Sequence, residues 1–305
     1  MVHFLYRTII TYLGRTGNGK SALANVISGT SKFKESEFVN SETKDVQIEI
    51  VDIDGINYKI VDTVGLGDTE LTMQQVLNKL ADASHVLRKG LSQVLFVTSG
   101  RFTEEELIAF DLLRTVLFDE NIVNYTTIVR TKFPGFLKPE KCAEDKKRME
   151  NDKRTEVVKL CNKFIHVNNL SEDEDPEQKA RENSRIILRT LLRTCQDVYK
   201  PKNLDEMNER IRGYMTEKEK MIKEMEELRN KGQLSEEELR KHQKKIESLE
   251  KEIASKVAQP VQEKNPGFFE KVGAWVGEGF TLAGEGIDKV LENLLIQPIK
   301  RCKIM

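Results

Sequence analysis

The sequence predicts an α/β fold, a mostly parallel six-stranded sheet with helices on both faces, followed by an α-helical coiled-coil hairpin and an amphipathic tail. Three observations carry that prediction. Strand-like and helix-like segments alternate through the first two hundred residues, the pattern of a parallel sheet covered by helices. The β-branched run at residues 8–13 enters the glycine-rich string Gly14-Arg15-Thr16-Gly17-Asn18-Gly19-Lys20-Ser21, which opens into a helical pattern at residues 22–27. Beyond Lys200-Pro201 the composition shifts to charged residues with apolar ones at heptad spacing.

Taken in order, residues 8–13 form the first strand and residues 22–27 the helix leaving the glycine loop. Residues 46–52 and 56–61 read as strands joined by Asp54-Gly55, a two-residue turn suited to an antiparallel pair. A helix at 71–88 and a buried strand at 91–97 follow. Thr103 and Glu106 stand three apart, a capping box that starts a helix running to about residue 118. Residues 125–129 form the next strand, 138–162 a polar helix, 164–167 a short last strand and 176–198 the closing helix. The expected units are a flexible N-terminus (1–7), the α/β domain (8–200), a helical hairpin or coiled coil (201–258), a linker (259–266) and a tail (267–305).

In the third unit Met207, Ile211, Tyr214, Met221, Met225 and Leu228 repeat at heptad steps, with Lys218 filling the polar seam position. Asn230-Lys231-Gly232 breaks the repeat. Ser235 with Glu238 forms a second capping box, and Leu239, His242, Ile246, Leu249, Ile253 and Val257 continue the pattern. Two helices joined by a short turn predict an antiparallel hairpin; one interrupted helix in a coiled coil between chains is the alternative. His242 reads as a packed edge residue. In the tail, Phe269, Val272, Val276, Phe280, Ala283, Ile287, Val290 and Leu294 share a helical face, and Gly273, Gly277, Gly279, Gly284 and Gly286 interrupt the segment. Docking of that face on protein is expected ahead of docking on a membrane surface.

The pattern G-x-x-x-x-G-K-S between a strand and a helix places backbone N–H groups around phosphate oxygens at the positive end of the helix. Gly14, Arg15, Thr16, Gly17, Asn18, Gly19, Lys20, Ser21 and Ala22 are the expected nucleotide contacts. Lys20 would reach the β- and γ-phosphates and the Ser21 hydroxyl would ligate Mg²⁺. Asp62-Thr63-Val64-Gly65 ends the strand at 56–61. There the Asp62 carboxylate would hold the metal through water, and the Gly65 N–H would meet the γ-phosphate. Thr43, preferred to Ser41, is the expected Mg²⁺-binding threonine of the nucleotide-sensing loop.

Composition sets limits. Lys plus Arg (49) nearly balances Asp plus Glu (50), so no global field favours nucleic acid. The cysteines (Cys142, Cys161, Cys195, Cys302) have neither metal-type spacing nor a paired framework, which predicts a reducing, cytoplasmic setting. With no signal-like start and no run of about 18 apolar residues, the chain is expected neither to be secreted nor to cross a membrane.

The segments GRTGNGKSALANVISG (14–29), DTVGLGDT (62–69) and VLFVTSGRFTEEE (94–106) resemble the immunity-associated nucleotide-binding GTPases. This AIG-type family is related to septins and chloroplast-import receptors. The resemblance covers about residues 8–200. It implies GTP and Mg²⁺ binding, slow hydrolysis, GTP-dependent self-association through the nucleotide face, and residence of members on intracellular membranes. Leu66 stands where many small GTPases carry a water-orienting glutamine, so an isolated protomer is expected to hydrolyse slowly. Arg101 in the family box is the candidate to compensate, supplied across a nucleotide-dependent dimer. Local pairing with Glu104 or Glu105 is the alternative.

Base recognition departs from the family pattern. Where the family has T-R-K-D, this chain has Arg130-Thr131-Lys132-Phe133-Pro134, so the aspartate that reads guanine is replaced. Lys132 would lay its stem along the base and Phe133 could stack on it. Asn168 and Asn169 match the family's N-N segment, within reach of the guanine carbonyl. GTP preference thus comes from the resemblance, and a binder of relaxed base specificity acting as a coiled-coil scaffold is the alternative function. The sequence Cys302-Lys303-Ile304-Met305 is of C-a-a-X type, which suits farnesylation of Cys302 and peripheral attachment to an intracellular membrane.

Overall fold

The computed structural model describes residues 8–14, 17–31, 33, 47–62, 72–152, 159–161, 163–170, 179–195, 197–231, 235–270 and 272. Strands β1 (Thr8–Leu13), β2 (Gln47–Ile53), β3 (Ile56–Asp62), β4 (Gln93–Thr98), β5 (Thr126–Arg130) and β6 (Lys163–His166) form one six-stranded sheet in the order β2-β3-β1-β4-β5-β6. Neighbours pair in parallel except β2 and β3, the antiparallel pair expected from Asp54-Gly55. Both turn residues take positive φ (56° and 80°), and the Gly55 N–H donates to Asp52 Oδ1 at 3.1 Å. That backbone suits a two-residue hairpin whose twist matches its strands.

Strand β4 is buried along its whole length, as a central parallel strand covered on both faces must be. Its alternate residues feed two apolar layers. Leu95 and Val97 join Tyr12, Ile60, Leu23 and Ile27 of α1 (Lys20–Ser28), and Leu188 and Leu192 of α5 (Lys179–Arg193). Val94 and Phe96 face Leu77 and Leu80 of α2 (Met73–Val86) and Phe110 of α3 (Glu104–Leu112). Helix α3 passes into a π-helical turn, Leu113–Leu117, and α4 spans Pro139–Asn151.

The charged C-terminal segment forms α6 (Lys202–Asn230) and α7 (Glu236–Lys264), packed on each other within the chain. Their contacts run in opposite order: Arg210 meets Lys256, Lys218 meets Glu250 and Glu217 meets Lys245. The pair is therefore an antiparallel hairpin. Leu204, Met207, Ile211 and Met215 from α6, and Ile253, Val257 and Val261 from α7, belong to the same apolar layer as α2 and α3. The boundary expected at residue 200 is thus a break in composition and not in the core. Lys218 sits in the polar seam position as expected. It is 11% exposed, between Asp82 of α2 at 3.6 Å and Glu250 of α7 at 3.3 Å. Burial raises the Asp82 carboxyl above its ordinary value, and Lys218 opposes that shift.

The linker expected at 259–266 is helical as far as Lys264 and contains Pro260. Proline lacks the N–H that would satisfy the carbonyl four residues earlier. Arg210 Nη1 of α6 donates to that carbonyl, Lys256 O, at 3.1 Å, so the helix continues without an orphaned acceptor. Of the expected apolar tail face, Phe269 and Val272 are buried in the α2 layer. The later tail positions, and residues 1–7, lie outside the described residues.

Candidate functional site

Parallel pairing brings the C-terminal ends of β1, β3, β4, β5 and β6 to one edge of the sheet, where ligands of open α/β sheets bind. The glycine loop leaves β1 at this edge. Gly14 has φ 144°, and a Cβ there would lie 2.2 Å from Val97 O of β4, so the loop begins in backbone contact with the next strand. Gly17 and Gly19 also take positive φ but face open space. Gly19 is the N-cap of α1 and supplies no side-chain hydrogen bond, so the N-cap residue leaves the N–H groups of the first turn uncapped. Lys20 Nζ donates to Gly14 O at 2.8 Å, which holds the ammonium over the loop, while Ser21 and Ala22 stand half-buried in the first helical turn.

Asn18 has a second, structural part to play beside its expected nucleotide contact through the loop backbone. Its side chain is buried and turned away from the loop's mouth. The Nδ2 group donates to Val97 O at 3.0 Å and to Glu106 Oε1, and Oδ1 accepts from Ser99 Oγ at 3.0 Å. Its backbone carbonyl accepts from Thr131 Oγ1 at 2.7 Å. Asn18 therefore fastens the loop to β4, to the start of α3 and to the end of β5. Glu106 serves two structures at once, because its Oε2 also accepts from the Thr103 N–H at 2.9 Å in the capping box. Sequence reasoning found the cap and missed the tie to Asn18, along with Ser99 and Thr131. The G-R-F-T-E box is thus the rear support of the loop. Phe102 anchors it against Phe96, ring centroids 4.7 Å apart, and Arg101 is left exposed. Among the described residues Arg101 forms no ion pair, with Glu104 or any other carboxylate; the Glu105 side chain lies outside them.

At the far side of the edge, Lys132 is exposed with φ 51°. Phe133, which could stack on a base, is half-buried with part of its ring against the protein. Its ring lies 4.7 Å from that of His166, and Arg130 sits 5.7 Å over it. Asp145 of α4 holds this group together, 3.0 Å from His166 Nε2 and 3.4 Å from Arg130 Nε. Burial lowers the His166 pKa, against the pull of Asp145. Asn168 is buried, its N–H and carbonyl both bonded to Ser184 Oγ at 3.0 and 3.2 Å. The neighbouring Asn169 differs: both polar atoms of its amide are buried and, among the described residues, have no hydrogen-bond partner. An unpaired buried amide costs about 1–3 kcal/mol per group. Arg15, Thr16, Thr43, Gly65 and Cys302 lie outside the described residues. Asp62 closes β3 beside Tyr12 of β1, at the loop's own edge, and its side chain is outside the description.

A glycine loop seated against β4, ahead of a helix without a side-chain cap at the C-terminal edge of a mostly parallel sheet, defines a P-loop nucleotide-binding fold of the GTPase type. The AIG1 family model matches residues 7–226, and the chain belongs to that family. The match extends through most of α6, so the first hairpin helix is part of the family unit. Immune-associated nucleotide-binding protein 7 of Arabidopsis thaliana is 28% identical over 234 residues, covering 73% of this chain and 71% of that protein. Immune-associated nucleotide-binding protein 10 of the same plant is 28% identical over 185 residues, covering 59% of this chain but only 39% of the relative's length. Among solved structures, Toc33 of Arabidopsis thaliana in complex with GDP and Mg²⁺ aligns over 64% of this chain and 88% of its own. Its sequence identity is 17% and its TM-score 0.43.

Proposed function

We propose that this chain binds GTP with Mg²⁺ at the P-loop and acts as an assembly switch with slow hydrolysis. The observation that carries the reading is the loop itself. Gly14 is locked on β4, Lys20 is held over the loop, and the first turn of α1 has no side-chain cap. Family membership supports it. Ser21 on α1, with Asp62 and Thr43, would hold the Mg²⁺, a set of hard oxygen donors that suits this ion. When bound, the ion would neutralise charge between the β- and γ-phosphates. Asn169 would offer its amide to the base.

Titration with GTP, GDP and ATP in Mg²⁺ tests the proposal. Binding should weaken by about 100-fold in Lys20→Ala, which is about 2.7 kcal/mol. Wild-type protein that takes up none of the three nucleotides would sink the reading. A second reading, relaxed base specificity, is favoured by Phe133, whose ring packs on His166 where an aspartate would address guanine. Equal affinity for ATP and GTP would establish it, and strict preference for GTP would remove it.

Arg101, exposed beside the loop's rear support, is proposed to act across a dimer of nucleotide faces. The hydrolysis rate per protomer should then rise with protein concentration, and Arg101→Ala should lower the rate of the assembled form by about tenfold or more. Phosphate release measured alongside light scattering reads both quantities. A rate independent of concentration speaks against this role.

A further inference from the structure

Strand β2 is an edge of the sheet, and one of its faces carries exposed apolar side chains. Its register sets Ile48 opposite Val61 and Ile50 opposite Lys59, and residues directly opposite in an antiparallel pair share a face. Val61 lies in the apolar layer of α2, and Lys59 Nζ donates to Val86 O of α2 at 3.4 Å. Ile48 and Ile50 therefore stand on the α2 face of the sheet, where they are 40% and 49% exposed. On the other face the alternate residues Val51 and Ile53 are buried in the layer of α1. Edge strands are commonly covered by a helix or a loop; among the described residues this pair is left open.

Three cations adjoin the pair. Lys59 stands directly across from Ile50, and Arg88 and Lys89, exposed just beyond α2, lie close enough to act on it. Burial, and then these two charges, lowers the Lys59 pKa. Among the described residues none of the three pairs with a carboxylate: Lys59 donates to a carbonyl, and Arg88 Nη1 lies 3.0 Å from His85 Nε2. Asp52, the acid of β2 on this face, accepts from the Gly55 N–H.

The chain's own tail has the complementary character. Phe269 and Val272 are buried in the layer on this same face, and the chain then runs on to Met305. Residues 273–298 carry Glu278, Glu285, Asp288 and Glu292 against the single base Lys289. A helix over 276–294, where the apolar positions recur, would be about 28 Å long, enough to lie along the roughly 23 Å of β2. Asp288 and Glu292, four apart, would form one row beside its apolar face.

We propose that the segment 273–298 docks within its own chain on β2, as a helix alongside α2, with its apolar face on Ile48 and Ile50 and its acidic row toward Lys59, Arg88 and Lys89. The glycine-interrupted helix is weak alone and gains its stability from that contact. Its tether at Val272 keeps it near the strand, so a modest intrinsic affinity suffices. An anionic membrane surface suits the segment less, because its acids would meet charge of their own sign. The docked tail closes the open flank of β2 and makes the C-terminal segment a further element of the α2 face.

Trp275, the single tryptophan of the chain, lies in this segment, so its fluorescence in the full-length protein reads the docking. Acrylamide should quench Trp275 less in native buffer than in urea, to a degree independent of protein concentration. Ile48→Thr combined with Ile50→Thr keeps β-branched residues on the strand and should weaken docking about tenfold, moving the quenching toward its value in urea. Lys89→Glu, at an exposed position outside the core, should weaken docking about twofold in low salt and have no effect in high salt. Circular dichroism confirms that each variant keeps its fold. Quenching of Trp275 that ignores both the isoleucine pair and Lys89→Glu would overturn the proposal. So would shielding that appears only with added phosphatidylserine vesicles, which would assign the segment to a membrane. Shielding that grows with protein concentration would assign it to a second copy and overturn docking within the chain.

Discussion

Ile253→Ala should lower the unfolding free energy by about 2–5 kcal/mol, and the α/β domain should lose that stability together with the hairpin. Ile253 lies on α7, in the segment whose composition marks it as a separate coiled-coil unit. In the structure it is fully buried and shares one apolar layer with Leu77, Leu80 and Ala81 of α2 and with Leu204, Met207 and Ile211 of α6. Truncation to alanine removes three methyl or methylene carbons and leaves a cavity between elements that belong to both expected units. A single shared core predicts one cooperative transition, shifted as a whole. The measurement is thermal unfolding by calorimetry and circular dichroism, repeated with nucleotide. Two separate transitions, with only the smaller one moved by Ile253→Ala, would show that the hairpin folds as its own unit. Removal of everything after Lys200 carries the same logic further: it would bare Leu77, Leu80 and Val116, and the remaining domain should aggregate.

How much of this was legible in the sequence follows from the range of the forces involved. The order strand, glycine loop, helix at residues 8–28 was readable because each element is fixed by neighbours in sequence: β-branched residues, positive-φ glycines, then helix formers. The turn at Asp54-Gly55 and the capping boxes at Thr103 and Ser235 are local in the same way. Side-chain direction is not local. Asn18 sits in the loop as an expected ligand contact, but its side chain is held inward by Val97, Ser99 and Glu106 from far along the chain, a tie that the loop sequence does not show. Phe133 was expected to be able to stack on a base, and His166 on a different strand packs against part of its ring, a contact the sequence does not show. Pro260 lies in the segment expected as a linker, and the donor that serves the carbonyl its ring leaves unpaired is Arg210 on the neighbouring helix. In each case the residue type was correct and the deciding contact lay on an element whose position only the fold supplies. The unpaired Asn169 amide belongs to the same class, since its lack of partners is a property of the packed edge and not of the N-N string.

Gly14→Ala should abolish nucleotide binding, whereas Gly17→Ala should only weaken it. All three loop glycines described take positive φ, so backbone preference alone would treat them alike, at about 1–2 kcal/mol for an L residue held in the left-handed region. Their surroundings separate them. A Cβ on Gly17 or Gly19 meets nothing within 4 Å, but one on Gly14 lies 2.2 Å from Val97 O and 3.2 Å from its carbonyl carbon. No rotamer relieves a clash with backbone. Either the loop lifts off β4 or β4 moves, and Val97 O is also the acceptor for Asn18 Nδ2 at 3.0 Å. Displacing it would leave the Asn18–Glu106–Ser99 group short of a partner in a buried position, at about 1–3 kcal/mol more. The two penalties fall on the same few atoms that must surround the phosphates. Isothermal titration of the two variants against the wild type, with unfolding curves to confirm that the sheet persists, reads the difference. Gly14→Ala binding nucleotide as tightly as Gly17→Ala would mean that the loop is not seated on β4 as described.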